Sequence, residues 1–461
     1  MNNDFSLKKI LQITFPTFLS QATLMTVGMV DMYFAGGLGT AAVSTLFIAH
    51  TTWSTIAAFF EGLRLGTTVI ASRLFGEKRH EDMYHVGRIG ILTSIIIGVL
   101  LVVFSAPISK IIYGTIVQDP HVQALGLEYF PWILACGGFV FITFVIDGMF
   151  RGVNRVVIPT IITLITQSLN IGLNCVFVWG LFGIKPMGIK GIALATFIAY
   201  AVAAVFAVIA LYTQGFKDLF KPLTTPFRNV LKDFSKIAAG IGLHSGFRLL
   251  AMGLFSKMLG SLGSSALASF GIASNVFHMS YIPGLAFMFT MSMLVSKLIG
   301  SAQTDMLWHI AKRVAAAALT CAGILGIFVF FWAHNIAVFF SPTDLLVAEN
   351  AAILIRIVAV NQFIVMLNFM FRGYLNGAHE TTFLMASSLF TTYGIFLPLA
   401  YFFAIIMKGG LIGAYCGVVI WNSIDTISNA LRTKFIANKF AKMHALQSAT
   451  ENSFKNPSEE N

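Results

Sequence analysis

Charge is what this chain has least of. Only 11% of its 461 residues are Asp, Glu, Lys or Arg, against about 25% in ordinary soluble domains. A soluble exterior of this size cannot be built from so few charges, because charged side chains must cover it. Cysteine is nearly missing as well. Cys136, Cys175, Cys321 and Cys416 each fall inside an apolar run, with neither metal-ligand spacing nor a disulfide framework among them. They read as small buried hydrophobes. The ten-residue alternation of a membrane β-barrel is absent. No small-residue cleavage site precedes the first long apolar run, which therefore reads as a retained helix. Large polar loops with clustered carboxylates or histidines are also absent, so the chain does not read as an enzyme and calls for no cofactor.

What is present is apolar. The AVILMFWYC residues make up 57% of the chain and the mean hydropathy is +0.82. Disorder is excluded by the same figures. Apolar runs of spanning length occur near 10–34, 47–72, 86–109, 122–149, 157–182, 190–213, 236–259, 268–298, 308–333, 348–372, 382–407 and 411–431. Each exceeds the roughly 20 residues needed to cross a bilayer core. Backbone polar groups have no water to bond there, so the runs must be helices. The expectation is an all-α membrane protein of twelve transmembrane helices.

The formal net charge of +11 follows membrane orientation and implies no nucleic-acid partner. Placing the N-terminus inside puts nearly all the loop Lys and Arg on the inner side. Only Lys110, Lys185, Lys190, Lys257 and Lys408 fall outside. Both termini are therefore expected to be cytoplasmic in a cell (inner) membrane, with lipid as the surrounding partner. The basic stretch 214–235, holding Pro222 and Pro226, lies at the midpoint and reads as a cytoplasmic linker. It divides a six-helix bundle at 1–213 from a second at 236–440, followed by a polar tail at 441–461.

The two halves repeat. Gly36, Leu38, Gly39, Ile48 and Ala49 align with Gly260, Leu262, Gly263, Ile272 and Ala273. The same offset carries Ser72, Leu74 and Gly76 onto Ser296, Leu298 and Gly300, with Arg73 meeting Lys297. One residue more sets Gly148 and Gly152 on Gly373 and Gly377. An even number of spans per half gives both halves one orientation, related by a pseudo-two-fold axis along the membrane normal. That is a parallel-repeat plan of secondary transporters, with substrate between the halves by fold-level analogy.

Ionisable groups at bilayer depth are costly and need a reason. Asp31 sits deep in the first helix with no basic neighbour in sequence, and its repeat partner is Phe255. Such a carboxyl group can exchange protons or coordinate Na+. Glu61 and Arg64 share a helix face, as a self-neutralising pair or a polar cavity contact. His244 and Arg248 share a face of the seventh helix and are further cavity candidates. Gln167, Asn170 and Asn174 line one face of the fifth helix, and Thr196 is on the sixth. They can bond between helices or supply oxygen ligands beside Asp31. Asp147 and Arg151, four apart, read as a structural ion pair, and Arg356 as snorkelling outward. The 44 Phe and 19 Met suit a cavity for bulky amphipathic ligands. Lipid-facing filler explains these residues equally well, so none is named as a contact.

Motif order along nearly the whole chain resembles the multidrug and toxic compound extrusion (MATE) transporters. The resemblance is carried by Pro16 and Asp31 before GGLGTAAVS, by ASRLFGEKR, by DGMFRGVNRVVIPT and RGYLNGAHETTF, and by LNIGLNCVFVWG and MGIKGIALATF. It implies the twelve-helix fold in two pseudo-two-fold bundles and a monomeric antiporter exporting amphipathic drugs for H+ or Na+. It also implies a first helix that bends near Pro16. In the DinF-like branch the ion site uses a first-helix Asp, an Asn and an Asp on the fifth helix and a Thr on the sixth. These match Asp31, Asn170, Asn174 and Thr196, with Asn174 standing where an acid is usual. Na+ would bind at Asp31, Asn170 and Asn174. A NorM-type site in the second half is not expected, because Val365, His244 and Arg248 stand near the positions of its acids. A lipid or lipid-linked oligosaccharide flippase of the same superfamily is the alternative, with Arg64 and Arg248 suited to a pyrophosphate headgroup.

Overall fold

The computed structural model describes residues 7–220, 228–341 and 344–455. Pro222 and Pro226 of the linker, and the last residues of the tail, lie outside the described residues. The described residues form helices α1 (Leu7–Gly36), α2 (Thr40–Phe59), α3 (Glu61–Gly76), α4 (His80–Ile116), α5 (Pro120–Ala135), α6 (Gly137–Gly152), α7 (Val157–Trp179) and α8 (Gly188–Thr213). They continue with α9 (Arg228–Gly260), α10 (Ser264–Gly300), α11 (Leu307–Phe340), α12 (Leu345–Gly377), α13 (Thr381–Leu389), α14 (Leu397–Tyr401) and α15 (Gly410–Lys455). Among the described residues 12 stretches are long and apolar enough to span a membrane, at the places read from the sequence. Three of them are not single α-helices. The second breaks at Phe60, where α2 meets α3, and the fourth at Cys136, where α5 meets α6. The eleventh runs through π-helical turns at Phe390–Phe396 and Phe402–Ile406. Periodicity carries no signal for such breaks, because apolar content continues through them.

Two compact units form, residues 15–246 and residues 247–461 with the first stretch of α1. Within each, the repeat appears as matching backbone. Gly39 and Gly263, aligned by sequence, have φ of 107° and 116° and precede α2 and α10. Glycine takes this conformation without steric cost. The aligned turn residues Lys78 and Ala302 both have positive φ, as do Asn154 and His379. Helix contacts repeat too. A Cβ on Gly148 would stand 2.6 Å from the Arg64 carbonyl oxygen, and one on Gly373 would stand 2.7 Å from that of Met288. Both helices of each pair approach closely because the glycine has no side chain.

The cores are made of small residues and stacked rings. In the second unit Ala333, Ala337, Ala348, Ala351 and Ala352 pack with Val276, Leu354 and Ile355. Phe255, Phe396 and Trp421 make a second cluster with Ala400 and Ala404. In the first unit α9 touches the α2–α3 junction at backbone distance. A Cβ on Gly242 would lie 2.0 Å from the Phe59 oxygen, and one on Gly62 1.8 Å from the Ala238 oxygen.

Candidate functional site

Asp31 lies on α1, Asn170 and Asn174 one turn apart on α7, and Thr196 on α8. Helical spacing turns both asparagines to the same side of α7. All four side chains are buried, Asp31 to 8% and Asn174 to 0% exposure. They join in one hydrogen-bonded chain. Asn174 Nδ2 donates to Asp31 Oδ1 at 2.7 Å and lies 3.3 Å from Asn170 Oδ1. Asn170 Nδ2 donates to Thr196 Oγ1 at 3.1 Å. The Thr196 hydroxyl donates back to the Ile192 carbonyl at 3.1 Å.

Two features of this chain matter chemically. Among the described residues Asp31 forms no ion pair, its hydrogen-bond partner being the neutral Asn174. The Asn174 Oδ1 is buried with no hydrogen-bond partner. A carboxylate, two amide oxygens and a hydroxyl oxygen therefore gather in one place. Such oxygen donors suit a hard monovalent cation, and a protonated carboxyl could instead donate to the spare amide oxygen. Among the described residues no group of three His, Cys, Asp or Glu could hold a metal ion. Tyr129 on α5 and Tyr200 on α8 lie near enough to feel the Asp31 charge. Sequence reasoning missed both, since a tyrosine in an apolar helix carries no pattern.

A small cleft opens beside α7 in the same unit. Its lining includes Arg64, Asp147, Thr166, Gln167 and Tyr200. Gln167 is buried one helical turn from Asn170, with Tyr200 as its side-chain hydrogen-bond partner. Arg64 bonds Glu61 Oε1 at 2.6 Å and Gln21 Oε1 at 2.9 Å, and stacks over Phe144 at 5.0 Å. Glu61 and Arg64 are thus a paired wall element. Arg151 bonds Asp147 at 2.8 Å and the Thr17 hydroxyl at 2.6 Å. These arginines hold α1 through Gln21 and Thr17, partners the sequence did not point to. Pro16 lies between them and the N-terminal stretch, and its carbonyl accepts the Thr160 hydroxyl at 2.9 Å.

The remaining candidates are not joined to this chain of side chains. His244 is buried on α9 within the first unit. Arg248, one turn on, belongs to the second unit, where its guanidinium covers the Trp421 ring at 4.9 Å. Arg356 is exposed.

The MatE family model matches residues 16–176 and 247–402, both halves of the chain. Among curated proteins, the chain is similar to the probable multidrug resistance protein NorM of Thermotoga maritima. The two are 22% identical over 413 residues, covering 89% of each chain. It is similar also to the protein of that name from Bacillus anthracis, 23% identical over 91% of this chain and 93% of that one. A MOP superfamily transporter from Pyrococcus furiosus superposes with a TM-score of 0.84 at 21% identity, covering 94% of this chain and 96% of that one. The Vibrio cholerae MATE transporter VcmN in its bent form gives 0.85 at 18% identity, over 94% and 97%. At such identities the superpositions establish the fold, and the two-part model match establishes the family. The chain belongs to the MatE family of multidrug and toxic compound extrusion transporters.

Proposed function

We propose that this protein is a secondary active antiporter that exports small amphipathic compounds in exchange for H+ or Na+, with Asp31 as the coupling carboxylate. It works as a single chain in the cell (inner) membrane with both termini cytoplasmic. The observation that carries the reading is the buried Asp31, bonded at 2.7 Å to a neutral amide whose own oxygen is left over. A carboxylate in that setting gains from a passing cation, and Asn174, Asn170 and Thr196 supply the remaining oxygens. The relatives named as multidrug resistance proteins support the export of foreign compounds.

Coupling follows from the neighbouring helices. Pro16 has no N–H, which breaks the hydrogen-bond ladder of α1 and makes it the place to bend. Cation arrival at Asp31 changes its bond to Asn174, and therefore how the upper part of α1 is held against α7. The cleft lies along α7, through Gln167, so α1 and substrate share a wall.

The test is export from proteoliposomes under an imposed pH or Na+ gradient, comparing wild type with Asp31→Asn. Wild type should accumulate substrate only with a gradient, and the variant should lose that dependence. Full gradient-driven export by Asp31→Asn would remove the proposed role. Indifference of wild type to both gradients, with binding of a polyprenyl pyrophosphate, would favour the flippase reading.

A further inference from the structure

Two polar rungs, one helical turn apart, join α7 to α8. Gln167 and Asn170 stand three residues apart on α7, and Thr196 and Tyr200 four apart on α8, so each pair shares a side of its helix. The first rung belongs to the chain that begins at Asp31, with Asn170 Nδ2 donating to Thr196 Oγ1 at 3.1 Å. The second is the hydrogen bond between the side chains of Gln167 and Tyr200. Both members of the second rung line the cleft, together with Arg64 and Asp147. Tyr200 is half-buried and lies within electrostatic reach of both Asp31 and Arg64. Polar groups therefore run from Asp31 through Asn174, Asn170 and Thr196 to the cleft wall.

The first rung is reset when a cation arrives. Asn174 turns its Nδ2 toward Asp31 Oδ1 at 2.7 Å and lies 3.3 Å from Asn170 Oδ1 with the same nitrogen. A cation held by Asp31 repels that N–H group and attracts amide oxygens, and a protonated carboxyl offers an O–H that needs an acceptor. In either case the Asn174 carboxamide turns over, Asn170 changes its partner, and its bond to Thr196 shifts. A close-packed interior transmits such a shift along the helices. The next contact on the same helix sides is the Gln167–Tyr200 bond, and a polar group of a compound in the cleft competes for the same two side chains. We propose that Gln167 and Tyr200 are positioning residues that carry ion occupancy at Asp31 into the cleft, so that a cation at Asp31 and an amphipathic compound in the cleft bind at each other's expense. The inference rests on the reading of Asp31 as the coupling carboxylate and names the residues through which it acts.

The experiment measures this linkage in the full-length protein in phosphatidylcholine nanodiscs, with ethidium as the probe. Ethidium affinity is read by fluorescence during titration with Na+ at alkaline pH and with protons in Na+-free buffer. In wild type one of these cations should weaken ethidium binding at least about tenfold, a coupling of roughly 1.4 kcal/mol. Tyr200→Phe, which removes only the hydroxyl, and Gln167→Met, which keeps the side-chain length, should each bring that factor close to unity, whatever their affinity for ethidium alone. The double variant should lose no more than either single one, because both act on one contact. Thr143→Val alters the cleft wall on α6, away from the two rungs, and should keep the wild-type factor. A merely structural role would change affinities and leave the factor in place. Absence of the factor in wild type, its survival in well-folded Tyr200→Phe and Gln167→Met, or its loss in Thr143→Val as well would overturn the proposal. Asp31→Asn separates two failures. Retention of the factor in that variant would defeat the coupling-carboxylate reading, whereas its loss there with survival in Tyr200→Phe and Gln167→Met would defeat this inference alone.

Discussion

Asn174→Asp tests the coupling chain by adding a charge where the amide now stands. Asn174 Nδ2 lies 2.7 Å from Asp31 Oδ1. A carboxylate oxygen in its place would put two negative charges at nearly that separation. With an effective dielectric constant of 20, the repulsion is about 6 kcal/mol. Side-chain shifts will relieve much of this, and a cation between the two groups relieves the rest. The Asn170 and Thr196 oxygens are already placed to complete its shell. Even a fraction of the repulsion, about 1.4 kcal/mol, is a tenfold change in an equilibrium constant. Sodium-22 binding to purified protein at fixed pH should therefore tighten at least about tenfold in Asn174→Asp. The Na+ concentration for half-maximal export should fall with it. The double variant Asp31→Asn with Asn174→Asp moves the single charge across the bond and should retain weak Na+ binding. No change in Na+ affinity in a well-folded Asn174→Asp would mean that these oxygens do not hold the coupling ion, and the reasoning would fail.

Two other outcomes are expected. Gly62→Ala should lower the thermal unfolding midpoint of the detergent-solubilised protein, because its Cβ would lie 1.8 Å from the Ala238 oxygen. Overpacking of this kind costs about 1–3 kcal/mol, and an unchanged midpoint would show that α9 does not depend on this contact. Pro16→Ala returns an N–H to α1 and so adds a backbone hydrogen bond of about 1 kcal/mol. Gradient-driven export should fall while equilibrium substrate binding is kept, and unaltered export would count against bending at this position.

Much of the candidate site was legible because helical spacing is local. Gln167, Asn170 and Asn174 had to share a face of one helix, and Glu61 had to reach Arg64 within one turn. The Asp147–Arg151 bond was readable for the same reason. Gln21 and Thr17 were not, since each meets an arginine from a different helix, and nothing in the α1 pattern fixes its rotation. The bonding of Asp425 was not legible either. Its partners, Asn368 and Thr391, come from two other helices.

The sequence by itself determined that the chain crosses a membrane twelve times as helices and that its halves repeat. A bilayer leaves backbone groups no other partner, and apolar length alone decides where they cross. The glycines of the paired turns were equally readable, because a positive φ and close backbone approach both select that residue. Only the tertiary structure decided that Asn174 meets Asp31, 143 residues away, that Arg248 lies over Trp421, and that Gln21 of another helix bonds Arg64. Those outcomes depend on helix rotation and on packing distances of a few ångströms, and these are set by many small contacts spread over several helices.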